Sequence, residues 1–185
     1  MDELKAIRRL KNGDMGGLEI LIAHYQDKAV RTAYLVTQHE PMAEDVVQDS
    51  FVRFYERIRH FDETRAFEPY FLRSVVNAAL NAIEKEKHGS ASNEALDAPA
   101  LESLLAQAAS VQEQVEYSQL KYAVSKALEE LSPRQRAVVV QRYYLEMSEK
   151  EMTETLDVTP GTIKRLLHAA RSRLRSLLGS ERNAE

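Results

Sequence analysis

Between Thr159 and Arg175 the chain gathers Thr159, Gly161, Thr162, Lys164, Arg165, His168, Arg171 and Arg175, and no acidic residue interrupts the run from Val158 to Leu178. Threonine and lysine can hold phosphates while arginine and histidine reach base edges, so this set has the chemistry of nucleic-acid recognition. Catalysis has no comparable set. The five histidines, His24, His39, His60, His88 and His168, lack metal-ligand spacing, cysteine is absent, and neither a glycine-rich phosphate loop nor a nucleophile motif occurs. Asp45 and Asp49 stand one helical turn apart, but such pairs are far commoner on acidic helix faces than in acid–base sites. The expectation is a protein that is not an enzyme and needs no metal or other cofactor.

The basic set needs a helix to carry it and a second helix to brace that one. Spacing predicts helices at about 149–156 and 160–178, joined by Leu156-Asp157-Val158-Thr159, the length of a helix-turn-helix connection. Thr159 can cap the second helix, and Pro160 suits its first turn. Ile163, Leu166, Leu167, Ala170, Leu174 and Leu177 then face inward, leaving Lys164, Arg165, His168, Arg171 and Arg175 outward or flanking. Such a helix fits a major groove. A terminal Lys/Arg run can also be a solvated face that complements the helix dipole; the capped helix and short turn ahead of it favour the groove. Arg173 falls near the core edge and needs no DNA role.

The remaining elements are also helical, and the expected fold class is all-α: two small helical domains. Helices are predicted over 2–11, from about Leu18 to Leu35, from Pro41 at a first helical position to about His60, and from about Pro69 to Lys87. Between the last two, residues 61–68 read as a loop, and Phe71, Leu72, Val75, Val76, Ala79 and Ile83 read as core. Residues 88 to about 112 turn small, polar and Ala-rich with no Lys or Arg, which marks a linker with a helical stretch around Leu101–Ala109. Beyond it, helices are expected at 113–130 and 133–145, with Ser132-Pro133 and Ser148-x-x-Glu151 as starts. Domain limits are therefore 1–87, 88–112 and 113–185.

Charge follows the same division. The whole chain carries −4, yet residues 1–90 hold 13 Lys+Arg against 15 Asp+Glu, residues 91–130 hold 2 against 7, and residues 131–185 hold 10 against 7. Only the last third is basic, where the recognition set lies. Absent cysteine argues against an oxidising compartment, and no apolar run is long enough for a bilayer, so a soluble cytoplasmic protein is expected.

Residues 131–178, with that helix-turn-helix, resemble the C-terminal domain of extracytoplasmic-function sigma factors of the sigma-70 family. "MAEDVVQDSFVRFYERIRHFD" (42–62) is similar to that family's core-polymerase-binding helix, and "FEPYFLRSVVNAALNAIEKEKH" (67–88) to its promoter-melting segment. The resemblance implies that Glu44, Asp45, Gln48, Asp49 and Phe51 grip core RNA polymerase; taken alone, that segment reads as a helix with a solvated acidic face. It implies that Phe61, Phe67, Tyr70, Arg73, Asn77, Asn81 and Lys85 contact unstacked −10 bases, rings stacking and cations following the backbone. It places Thr159, Gly161, Thr162, Lys164, His168 and Arg171 at a −35 element, where Arg165, standing in place of a small polar residue, and Arg175 join them as cations of the same helix.

The chain departs from the family pattern in both halves. An aromatic Tyr70 or Phe71 replaces the usual Trp, Asn81 replaces a common Asp, and Glu84 and Glu86 dilute Lys85 and Lys87. In the last helix Leu166 and Ala169 stand where Arg is frequent. The resemblance further implies promoter DNA, core RNA polymerase and an anti-sigma factor as partners. For the acidic linker, an inert tether competes with a chain threaded through polymerase's basic RNA path. Two other readings compete with an alternative sigma factor: a decoy that sequesters an anti-sigma protein, which need not keep a basic reading helix, and a stand-alone helix-turn-helix regulator, which has no use for the 42–62 segment.

Overall fold

The computed structural model describes residues 3–88 and 122–181. Among them every regular element is helical, and contacts divide the chain into two units, Met1–Ala91 and Ser92–Glu185. The first unit holds α1 (Glu3–Lys11), α2 (Gly16–Thr37), α3 (Glu40–Arg57), a 3₁₀ turn (Ile58–His60) and α4 (Phe67–His88). In the second are α5 (122–129), α6 (Pro133–Val139), a π-helical turn (Val140–Tyr144), α7 (Glu149–Leu156) and α8 (Pro160–Glu181). The expected linker from Gly89 onward, and the expected helix before Tyr122, lie outside the described residues.

Glycine sets the first corner. Gly13 takes φ 85° after α1, where a side chain would be strained, and a Cβ on Gly17 would stand 2.3 Å from the Ala6 carbonyl oxygen, so α1 and α2 touch there. α3 starts differently from the expectation. His39, with its Nδ1 accepting from the Met42 amide at 3.1 Å, is the cap, Glu40 opens the helix, and Pro41 takes the second position. Pro41 still fits, because first-turn N–H groups have no intrahelical acceptor.

α2, α3 and α4 pack around an aromatic core. Phe67 and Phe71 stack at 5.1 Å between centroids, Phe51 lies 4.3 Å from Phe71, Phe54 lies 4.7 Å from Phe67, and Tyr25 lies 5.1 Å from Phe67. Truncating a fully buried ring such as Phe67 costs about 3–5 kcal/mol. Glu3 reaches in from α1, accepting from the Tyr25 hydroxyl and, at 3.1 Å, from the Phe67 amide that opens α4. Burial, then Glu3, pushes the Tyr25 phenol well above its usual range.

The loop 61–66 is tied back to α1. Lys11 Nζ donates to the Phe61 carbonyl at 2.7 Å and to Glu63 at 2.9 Å, and Arg8 donates to the other Glu63 oxygen at 2.9 Å. Asp62 accepts from both the amide and the hydroxyl of Thr64, which holds its carboxyl below the usual range.

In the second unit both expected starts are capping boxes. Ser132 pairs with Gln135 at the head of α6, and Ser148 with Glu151 at the head of α7. Val138, Met147, Met152, Ile163 and Leu167 form the core on which α7 and α8 sit. The expected helix over 133–145 differs in one respect: its last turn is π-helical. There the Gln141 carbonyl accepts from the Met147 amide at 2.9 Å, while the buried Gln141 amide group finds no partner.

Candidate nucleic-acid interface

α7 ends at Leu156 and is capped by Asp157, whose left-handed backbone (φ 49°) turns the chain into Val158 and Thr159. Thr159 Oγ1 accepts from the Thr162 amide at 3.3 Å, the two threonine hydroxyls lie 3.0 Å apart, and Pro160 begins α8. This cap sets the direction of α8. Ile163, Leu167 and Ala170 are buried beneath it, with Leu166, Leu174 and Leu177 half-buried beside them.

Lys164, Arg165, His168, Arg171 and Arg175 are all exposed. Lys164, His168, Arg171 and Arg175 follow one another at steps of four, three and four residues, one side of a helix, while Arg165 stands on the flank. Among the described residues none of the five is in an ion pair; Arg171 Nε donates only to the Leu167 carbonyl, at 3.2 Å. Arg173 instead pairs with Glu130 at 2.9 Å, both side chains being exposed. Three uncommitted cations and a histidine on one face, with Arg165 beside them and a core behind, can donate to phosphates and base edges without giving up an internal contact. A Cβ on Gly161 would meet nothing nearer than Thr159 Oγ1 at 3.9 Å, so the fold itself does not require glycine there.

In the first unit the expected −10 residues separate. Phe61 and Phe67 are 5% and 0% exposed, buried in the aromatic core, where they cannot stack a base; Tyr70, 5.0 Å from Phe61, is the one ring of the three at the surface. Asn81 and Lys85 are exposed, and Arg73 and Asn77 half-buried. Tyr70, Asn77 and Asn81 line a cleft of about 190 Å³ between α3 and α4. Sequence reasoning missed its other wall, Arg53 and Arg57 of α3. The signal was their i, i+4 spacing beside the core positions Ser50 and Phe54.

The outer face of α3 carries Glu44, Asp45, Gln48 and Asp49, all exposed, whereas Phe51 is buried against Phe71. Two exposed apolar residues missed in the sequence, Val52 and Tyr55, follow these acids along α3. Beside them a groove of about 510 Å³ runs between α2 and α3, with Leu18, Ile22 and Val30 on one side and Glu44, Gln48 and Val52 on the other.

The fold and these surfaces define an all-helical protein that joins a helix-turn-helix module to a second helical unit. Residues 21–89 match the family description "Sigma-70 region 2" and residues 121–174 match "Sigma-70, region 4". The chain is 28% identical over 182 residues to the ECF RNA polymerase sigma factor SigW of Bacillus subtilis (strain 168), covering 94% of this chain and 95% of that one. It is 26% identical over 171 residues to the ECF RNA polymerase sigma-E factor of Escherichia coli (strain K12), covering 89% and 88%. Two solved structures share the fold. CnrH in complex with the cytosolic domain of CnrY aligns with a TM-score of 0.62 at 19% identity, covering 96% of this chain and 97% of that one. The sigma factor RpoE of Bartonella quintana, in complex with the anti-sigma factor NepR, aligns with a TM-score of 0.64 at 20% identity, covering 87% and 96%.

The chain belongs to the sigma-70 family, in its extracytoplasmic-function group. Sigma factors of this family bind core RNA polymerase and promoter DNA and direct transcription initiation. No helix among the described residues is long and apolar enough to cross a membrane.

Proposed function

We propose that this alternative sigma factor divides its work between the two units. Residues 1–87 hold core RNA polymerase through Glu44, Asp45, Gln48 and Asp49 and present Tyr70, Arg73, Asn77, Asn81 and Lys85 to the opened −10 strand. Phe51, Phe61 and Phe67 act beneath those surfaces as support. Residues 113–185 anchor the complex at a −35 element, with Lys164, Arg165, His168, Arg171 and Arg175 toward DNA and Thr159, Gly161 and Thr162 at the helix start, and residues 88–112 join the two domains. The protein works in the cytoplasm and catalyses no reaction of its own. An anti-sigma protein regulates it, a reading supported by the Bartonella quintana complex, which pairs a sigma factor of this fold with its anti-sigma factor.

The observation that carries this function is the face of α8: exposed cations, none in an ion pair among the described residues, opposite a buried apolar side. A decoy has no need of such a face. The test is to add the purified chain to core RNA polymerase with genomic DNA fragments and map RNA 5′ ends. New start sites sharing an upstream element are expected. No start site beyond those of core polymerase alone would refute the reading.

A further inference from the structure

Lys85 and Lys87, the lysines at the end of α4, are interleaved with Glu84 and Glu86, so that segment has no net charge to offer a polyanion. The cleft between α3 and α4 has cations of another origin. Arg53 and Arg57, one helical turn apart on α3, form one wall, and Tyr70, Ser74, Asn77 and Asn81 of α4 form the other. Both arginines are exposed. Arg57 is in no ion pair among the described residues, and Arg53 meets only Asp49 of its own helix, at 3.7 Å. A pair that long between exposed groups is worth little and yields to a better anion.

From Tyr70 to Asn81 the α4 wall rises about 16 Å at 1.5 Å per residue, the reach of a few nucleotides. Along it the groups come in a useful order: an exposed ring first, then a hydroxyl and two amides. A ring accepts a base of any sequence on its face, and amides hydrogen-bond base edges. The cleft volume of about 190 Å³ suits single bases and is too small for a duplex. None of the α4 groups lining the cleft carries charge, so within the cleft itself positive charge for a strand's phosphates comes from the α3 side.

We propose that Arg53 and Arg57 are phosphate-binding residues for single-stranded DNA in this cleft. They supply from α3 the positive charge that Glu84 and Glu86 cancel at the end of α4. This rests on the −10 reading proposed above. Strand binding thus uses the edge of α3 that adjoins Asp49, at the border of its acidic outer face, and one helix serves two partners. Asp49 sits at the boundary and keeps Arg53 paired until a phosphate displaces it.

The test uses the chain bound to core RNA polymerase and a short single-stranded DNA of random sequence carrying 5-bromodeoxyuridine. Ultraviolet cross-linking is followed by mass spectrometry of the Tyr70 peptide, at subsaturating DNA and stepped salt. The wild-type yield falls with salt. In the double variant R53Q/R57Q the slope of log yield against log salt is expected to be shallower by about 1.4, at about 0.7 per lost phosphate contact on a single strand. R53K/R57K should restore the wild-type slope, and core polymerase should co-purify with all three proteins. Loss of core polymerase from R53Q/R57Q would assign these arginines to polymerase and overturn the inference. An unchanged slope, with Tyr70 still cross-linked, overturns this inference and leaves the −10 reading standing. Absence of any wild-type cross-link at Tyr70 overturns both.

Discussion

Reversing charge at Arg165 and Arg171 isolates what α8 does. Both side chains are exposed, neither is in an ion pair among the described residues, and Arg171 touches only the carbonyl of Leu167 in its own helix. Arg165→Glu with Arg171→Glu therefore removes no core contact, and the unfolding free energy should change only as ordinary surface substitutions change it, by about ±0.5 kcal/mol each. Each lost DNA contact costs about 1–3 kcal/mol, so two cost about 2–6 kcal/mol, or roughly thirty-fold in affinity at the least. If both contacts are to duplex phosphates, the slope of log affinity against log salt becomes shallower by about 1.8. The assay is fluorescence anisotropy of the polymerase-bound protein on a DNA fragment transcribed by the wild type, with co-purification of core polymerase as control. Wild-type affinity in a folded, polymerase-bound double variant would refute the groove assignment of α8. Loss of polymerase together with DNA would mean that the two faces are not separable.

Three further outcomes are expected. Asp45→Lys with Asp49→Lys should reduce co-purification with core polymerase while circular dichroism keeps its helical signal, since both carboxylates are exposed on the outer face of α3; undiminished recovery would contradict it. Gly161→Ala should not lower the melting temperature, because the new Cβ meets nothing nearer than 3.9 Å and alanine favours helix by up to about 1 kcal/mol. Yet it should weaken upstream DNA binding if the strand backbone passes close to α8 there, and equal affinity would remove that role. Hydrogen bonds from Arg8 and then Lys11 hold the Glu63 carboxyl below its ordinary 4.5. A depressed carboxylate stabilises the fold above its unfolded pKa and ceases to as pH falls through the folded value. The melting-temperature deficit of Glu63→Gln should therefore be present at neutral pH and vanish on acidification below 4.5, and a deficit independent of pH would refute the clamp.

The helices were legible because their determinants are local. Ser148-x-x-Glu151 names its own cap, Thr159-Pro160 names the start of α8, and the spacing of Ile163, Leu167 and Ala170 names the buried side. What could not be read depends on packing between distant residues. Phe61 and Phe67 flank a polar loop without helical spacing, and only the arrival of α2, α3 and α4 around them decides that they are core while Tyr70 is not. Arg53 and Arg57 look like ordinary solvated arginines until α4 lies beside them and makes the seam a cleft. The π-helical turn at Val140–Tyr144 has no sequence mark either: Val140-Gln141-Arg142-Tyr143-Tyr144 continues a helical pattern, and the bond from the Met147 amide to the Gln141 carbonyl that closes this corner shows only in the fold.

The absence of cysteine permits a direct measurement of the division of labour. Ser172→Cys lies on the exposed side of α8, and Ser74→Cys lines the α3–α4 cleft. Each gives a unique attachment point for an iron chelate that cleaves nearby DNA. In polymerase complexes on a transcribed promoter, the account predicts cleavage from residue 172 confined to the upstream −35 region and cleavage from residue 74 confined to the opened −10 region. Cleavage of both positions within one region, or none near −35 from residue 172 in an actively transcribing complex, would contradict it.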